Sequence, residues 1–75
     1  METLYDVQQL LKQFGIIVYV GARIYDIELM QIELKGLYDG RVIDRDTYLR
    51  ARQVLTREHR IEESKQSEDG TWTES

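Results

Sequence analysis

The feature that most constrains this chain is an apolar segment held between two glycines. Five apolar residues, Ile16 to Val20, stand between Gly15 and Gly21. The segments on either side carry apolar residues at helical spacing. The β-branched content of the segment would suit a strand, but a lone strand has no partner in this sequence. We therefore predict a buried, irregular or single-turn connector that locks two helices together.

The segment before this connector predicts a first helix over about 4–14. Thr3 is of the N-cap type, and Asp6 follows three residues later, which is a variant of the capping box. Gly15 stands where helices commonly end in the left-handed conformation. The apolar positions recur at helical spacing: Leu4, Val7, Leu10, Leu11 and Phe14. The sequence thus predicts both ends of the helix and its buried side.

A second helix, predicted over about 22–38, has apolar residues on two nearly opposite sides. One row is Ile24, Ile27, Met30, Leu34, Leu37 and Tyr38, and the other is Tyr25, Leu29 and Ile32, continued by Gly36. Asp26 and Glu33 fall between the rows and are expected to form a solvated strip. Such a helix is either buried on both sides or offers one side to another molecule. The third helix or the connector could cover the second row, and the sequence leaves both possibilities open.

The third helix is predicted to follow a turn at 39–41. Asp44 is a strong N-cap residue, and Ile43 and Tyr48 have the spacing of a hydrophobic staple. The expected buried positions are Tyr48, Ala51, Val54, Leu55 and Ile61. The pattern fades near Glu62, and the polar segment after it predicts disorder. The predicted fold is all-α: a compact three-helix bundle over 1–63 with a disordered C-terminal tail over 64–75.

The composition argues against catalysis and metal binding. The chain has no cysteine and a single histidine, His59, whereas a zinc site usually draws several His or Cys ligands. No serine or threonine has a base and an orienting group at compatible spacing. Nothing resembles a calcium loop or a glycine-rich phosphate loop. We therefore expect a non-enzymatic protein with no cofactor and no metal.

No segment predicts a signal peptide or a membrane span. The longest apolar run has five residues, against roughly 20 for a helix that crosses a bilayer. A chain of 75 residues also supports only a small core, and self-association is one way to reinforce it. We expect a soluble, cytoplasmic protein of one small domain with no membrane partner.

The best functional lead is a basic segment in an acidic protein. The net charge is −4, yet residues 41–60 hold six arginines against three acids. On a helical wheel, two edges of the third helix carry these bases. The candidate residues are Arg45, Arg52 and His59 on one edge, Arg50 and Arg57 on the other, Arg41 before the helix, and Tyr5 as an exposed aromatic platform. Guanidinium groups bind phosphate, and aromatic rings stack on bases. This pattern predicts binding to single-stranded DNA or RNA.

Other interpretations of the same residues stay open. Asp46 and Arg50 have the spacing of a favourable helix pair, and arginine stems commonly frame a helix core. The arginines could then form an ordinary solvated face or meet an acidic protein partner. The alternative function is a protein–protein interaction module or a small homo-oligomer. Its interface would be the second row of the second helix, Tyr25, Leu29 and Ile32.

The sequence also resembles a known family of small bacterial proteins. The matching positions are Tyr5 to Lys12, Gly15, Gly21, Arg23-Ile24, Asp26 to Met30 and Ile43-Asp44. In these positions the chain resembles the YqgQ-like family over roughly residues 1–62. The resemblance implies a bacterial cytoplasmic protein, mostly from Gram-positive lineages, that folds as a three-helix bundle. It implies single-stranded nucleic-acid binding only by structural analogy and carries over no catalytic or binding motif.

Overall fold

The computed structural model describes the backbone of residues 1–73 and the side chains of residues 1–65. Within this range the chain forms three helices and no strand: α1 (Leu4–Lys12), α2 (Arg23–Asp39) and α3 (Arg45–Thr73). The predicted all-α fold of three helices is confirmed. The short connection between α2 and α3 makes them antiparallel neighbours, and Arg23 at the start of α2 pairs with Glu58 in the middle of α3 at 3.3 Å.

The third helix continues to Thr73, beyond the point near Glu62 where its apolar pattern fades. This stretch contains no proline, and a helix that has nucleated extends at little further cost. The predicted tail over 64–75 lies mostly outside the residues whose side chains are described. Its disorder in solution stays a prediction.

The first helix has the ends that its sequence predicts. The Thr3 hydroxyl accepts the Asp6 N–H at 3.2 Å, and the Asp6 carboxylate accepts the Thr3 N–H at 3.1 Å, which completes the capping box. Gly15 is in the left-handed region with φ 77°, as a helix C-terminus requires. Regular α-helix stops at Lys12, two residues before Phe14, because the last turn tightens toward this glycine.

The connector between α1 and α2 is only half buried, so its predicted full burial is wrong. Ile16 and Val18 pack against the core, whereas Ile17 and Tyr19 are 78% and 82% exposed and Val20 is also exposed. Burial alternates from Ile16 to Tyr19, as it does where successive side chains point to opposite sides. Of the connector, only Ile16 and Val18 pack against the core.

Asp26 is buried rather than solvated, which corrects a second expectation. Its carboxylate accepts the backbone N–H of Val20 at 2.6 Å. An irregular connector leaves backbone donors without partners, and a buried donor must be satisfied. Asp26 thus ties the end of the connector to the first turn of α2, while Glu33 stays exposed as expected.

The core lies between one side of each helix. It comprises Leu4, Val7, Leu11, Ile27, Met30, Leu34, Ile43, Ala51, Val54 and Leu55. Ile61 was expected to join this core but is exposed. It lies one turn beyond Arg57, which already contacts the chain before α1 at the Glu2 carbonyl. No part of α1 therefore reaches Ile61.

The turn between α2 and α3 is built around Asp44. Its carboxylate accepts the Thr47 N–H at 3.0 Å, so the predicted N-cap of α3 is confirmed. Hydrogen bonds from Thr47 also hold the pKa of the Asp44 carboxyl below its usual value. Ile43 is buried and Tyr48 packs against the same core, as the predicted staple requires. This turn fixes where α3 begins and therefore which way its arginines point.

Candidate nucleic-acid interface

The arginines of residues 41–60 divide into paired and unpaired groups. Arg50 contacts Asp46 at 3.1 Å, and Arg57 contacts Glu58 at 3.4 Å as well as the Glu2 carbonyl. The remaining four have no carboxylate oxygen within 4.0 Å among residues 1–65: Arg41, Arg45, Arg52 and Arg60. Their guanidinium groups are the ones available to an external anion.

Three of the unpaired arginines lie toward α2, and we call Arg41, Arg45 and Arg52 the arginine row. Arg52 lines a groove of about 280 Å³ between α2 and α3, together with Lys35 and Tyr48. Arg45 begins α3 seven residues earlier, which places it two helical turns, or about 10 Å, from Arg52 along the same edge. The predicted alignment of these two residues is therefore confirmed.

A second basic surface lies next to the turn between α2 and α3. Arg41 and Arg45 line a shallow depression together with Tyr38. The rings of Tyr38 and Tyr48 stack with centroids 4.2 Å apart. Since Tyr48 also borders the groove of Arg52, this aromatic pair connects the depression with the groove. Arginines and half-buried aromatic rings thus alternate along one side of the molecule.

Lys35 adds a positive charge on the opposite wall of the groove. Its ammonium group donates to both carboxylate oxygens of Asp39, at 2.9 and 3.0 Å. This hydrogen bond and the charge of Asp39 raise the pKa of Lys35 above its ordinary value. Lys35 is therefore a charged but already paired member of the site.

Arg41 has an unusual backbone conformation. Its φ is 59°, whereas the preceding Gly40 has φ −79°. The Arg41 N–H donates to the Tyr38 carbonyl at 3.0 Å, and the Val42 N–H donates to the Leu37 carbonyl at 2.8 Å. These two bonds form a helix-ending motif in which the left-handed position is usually glycine. An arginine at this position is strained, and such strain is concentrated at functional sites.

Replacing Arg41 with glycine is expected to stabilise the fold by about 1 kcal/mol, since the left-handed conformation costs an L-residue that amount relative to glycine. Urea unfolding of both proteins measures the change. The matched control is Arg60→Gly, which places the same substitution within α3, where glycine destabilises by about 1 kcal/mol. Equal destabilisation by both variants would contradict the assigned role of position 41.

His59 is held by acids rather than left open to phosphate. Its Nε2 lies 2.8 Å from the Glu28 carboxylate and its Nδ1 lies 3.3 Å from that of Glu63. The hydrogen bond to Glu28 raises the pKa of His59, burial opposes the rise, and the charge of Glu63 adds to it. His59 lies beside the groove of Arg52, since both border Gln31 and Lys35, but both of its ring nitrogens are occupied and it is not free to bind phosphate.

This histidine makes stability depend on pH. The pKa of His59 is raised above 6.5 in the folded state. Its contacts with the two carboxylates therefore stabilise the fold fully below pH 6.5, and this stabilisation is lost as the pH rises through the folded-state pKa. We expect the melting temperature to fall as the pH rises from about 6 to about 8, and to fall less steeply with pH in Glu28→Gln. Thermal melts across this range measure both. An unchanged slope in Glu28→Gln would contradict the assignment.

Tyr5, the predicted aromatic platform, is exposed but lies on α1. Arg50 and Arg57 lie on the edge of α3 that faces away from the α2 groove, since Arg57 reaches Glu2 beside α1. The structure therefore does not bring Tyr5 and Arg57 together with the arginine row, whereas Arg50 lines a surface depression on α3 together with Arg52 and Arg60. Lys35 and the stacked Tyr38–Tyr48 pair were not predicted as part of the site. The spacing of Tyr48, three residues after Arg45 and four before Arg52, indicates its place on the same helix edge.

The second row of α2 is not covered by the rest of the bundle. Tyr25, Leu29 and Ile32 are all exposed, so within the described side chains neither α3 nor the connector buries them. We call these three residues the outer row. The structure thus decides one question that the sequence left open: α2 is buried on one side only.

Among the described residues, no group of three or more His, Cys, Asp or Glu side chains is placed to hold a metal ion. None of the helices in this part of the chain combines the length and apolarity needed to cross a membrane.

Comparison with known proteins places the chain among its relatives. The family model described as YqgQ-like matches residues 1–61, which include α1, α2 and the first half of α3. The chain is 49% identical over 69 residues to a Bacillus subtilis (strain 168) protein described as "Uncharacterized protein YqgQ". That alignment covers 92% of this chain and 94% of the relative. The chain belongs to the YqgQ-like family.

Proposed function

We propose that this protein binds single-stranded nucleic acid along the arginine row and the adjoining aromatic pair. The observation that supports this most is that Arg41, Arg45 and Arg52 have no described carboxylate oxygen within 4.0 Å, in a segment where Arg50 and Arg57 are paired. Asp39 and Asp44 line the same depression as Arg41 and Arg45 but form no ion pair with them. Unpaired guanidinium groups favour phosphate, and rings beside them favour bases. The role is binding rather than catalysis, in a bacterial cytoplasm as the family resemblance implies.

A single strand fits this surface better than a duplex does. Arg52, Lys35 and the ring of Tyr48 line a groove of about 280 Å³, and bases can reach aromatic rings only when they are unpaired. The protein as a whole has a net charge of −4, so attraction is confined to the local positive segment. Binding should therefore be of modest affinity and strongly dependent on salt.

The test is fluorescence anisotropy of labelled single-stranded DNA and RNA oligomers at several salt concentrations. Three phosphate contacts predict that the logarithm of the association constant falls with the logarithm of salt with a slope of about −2. Low-micromolar affinity that weakens in this way supports the proposal. Absence of binding even at low salt would reject it.

The outer row favours a second candidate function, a protein-interaction module. Exposed aromatic and aliphatic side chains in a continuous row are typical of protein contact surfaces. Pull-down or sedimentation experiments with an outer-row variant such as Leu29→Lys test this function. The arginine row is unaltered in that variant, so the two functions can be separated.

A further inference from the structure

The outer row forms one apolar strip along α2. Tyr25, Leu29 and Ile32 recur four and three residues apart, which puts them on one side of the helix. Their exposed fractions are 59%, 38% and 66%. The strip has the regular spacing that lets a helix pack against another helix.

Gly36 continues this strip, and nothing inside the monomer requires it to be glycine. Its φ is not in the left-handed region, and a Cβ added to it would meet no atom within 4 Å. Glycine within a helix is less favourable than alanine. The sequence therefore keeps a destabilising residue at an exposed position beside three apolar ones. Close approach of another backbone or a large side chain would account for it.

We propose that the outer row binds a second copy of this chain, with the two α2 helices antiparallel. A two-fold axis level with the midpoint of Met30 and Gln31 pairs Leu29 with the partner's Ile32. The same axis places Tyr25 over the partner's Gly36, where the absent side chain leaves room for the ring. Each contact occurs twice, as a self-complementary two-fold interface requires.

Charge at the edge of the strip fits this direction. Glu28, Ile32 and Lys35 border one shallow groove, so Glu28 and Lys35 lie on the same edge of the outer row. An antiparallel two-fold brings Glu28 close to the partner's Lys35, and Lys35 close to the partner's Glu28. Such rim charges contribute little affinity, because Glu28 also contacts His59 and Lys35 contacts Asp39 within one chain. The direction rests on the fit of Tyr25 over Gly36.

This inference deepens the protein-interaction candidate and does not depend on nucleic-acid binding. It also suits the size of the protein, because a core formed by about 60 residues is small and dimerisation adds buried apolar area. The partner is a second copy because the strip matches itself in both side-chain size and charge.

The test is sedimentation equilibrium of the full chain from about 1 μM to about 1 mM, a range that covers weak dimers. We expect a concentration-dependent dimer, and at least a tenfold weaker one in Leu29→Lys. The matched control is Leu49→Lys, since Leu49 is 41% exposed on α3 and Leu29 is 38% exposed. The control should dimerise like the unaltered chain.

Gly36→Ala gives the most discriminating result, because its two effects have opposite signs. At the lowest concentration the melting temperature should rise by roughly 4 °C, since alanine favours the helix. Dimerisation should weaken at least tenfold, because the added methyl group obstructs the partner's Tyr25. A protein that stays monomeric at every concentration, or a dimer unaffected by Gly36→Ala, would overturn the proposal. Nucleic-acid binding is measured on the same samples, and the result of the dimerisation test does not decide it.

Discussion

Replacing Leu55 with alanine should destabilise the folded protein by about 3 kcal/mol. Leu55 is fully buried and lies in the core formed by all three helices. Its truncation removes apolar contacts and leaves a cavity that the short α1 has little freedom to fill. Domains of this size have only several kcal/mol of stability in total, so a substantial fraction of the variant should be unfolded at physiological temperature.

Urea unfolding followed by circular dichroism measures this change, and Leu49→Ala is the control. Leu49 lies on the same helix and loses the same atoms, but it is 41% exposed. We expect the control to cost less than about 1 kcal/mol. Equal costs at the two positions would mean that α3 does not bury the side described here.

Removing two arginines of the row should weaken single-strand binding most strongly. Arg45→Ala combined with Arg52→Ala deletes two phosphate contacts, so affinity at low salt should fall by roughly 10–100-fold. The salt slope should also become shallower, by about 1.4 for two contacts to a single strand. Anisotropy titrations at several salt concentrations give both quantities.

The control for this prediction is Arg50→Ala combined with Arg57→Ala. It changes the net charge by the same amount, but these guanidinium groups are already paired with Asp46 and Glu58. Affinity should fall much less than in the first double variant. Equal losses in the two variants would show that overall charge, rather than the arginine row, controls binding.

Local chemistry could be predicted from the sequence wherever neighbours along the chain determine it. The capping box of Thr3 and Asp6, the left-handed Gly15 and the cap at Asp44 all depend on contacts within five residues. The turn at 39–41 was also predicted, and its left-handed residue is Arg41. The position of that residue follows from the hydrogen bonds that end α2, which composition does not reveal.

The candidate site could be predicted only in part. The alignment of Arg45 and Arg52 follows from helical periodicity alone. Which arginines are paired does not, because it depends on the acids that the fold brings near each one. His59 shows the difference: its spacing groups it with Arg52, yet Glu28 of α2, 31 residues away along the chain, occupies it.

By itself, the amino-acid sequence determined the three helices, the caps of α1 and α3 and most of the buried positions of these two helices, because these depend on short-range geometry and side-chain volume. Only the tertiary structure decided which of the two apolar rows of α2 is buried and that Asp26 would bond the connector. The tertiary structure also decided that Ile17 and Tyr19 of the connector face solvent. These outcomes depend on how many neighbours the rest of the chain supplies to α2, and a chain of 75 residues buries only a small core.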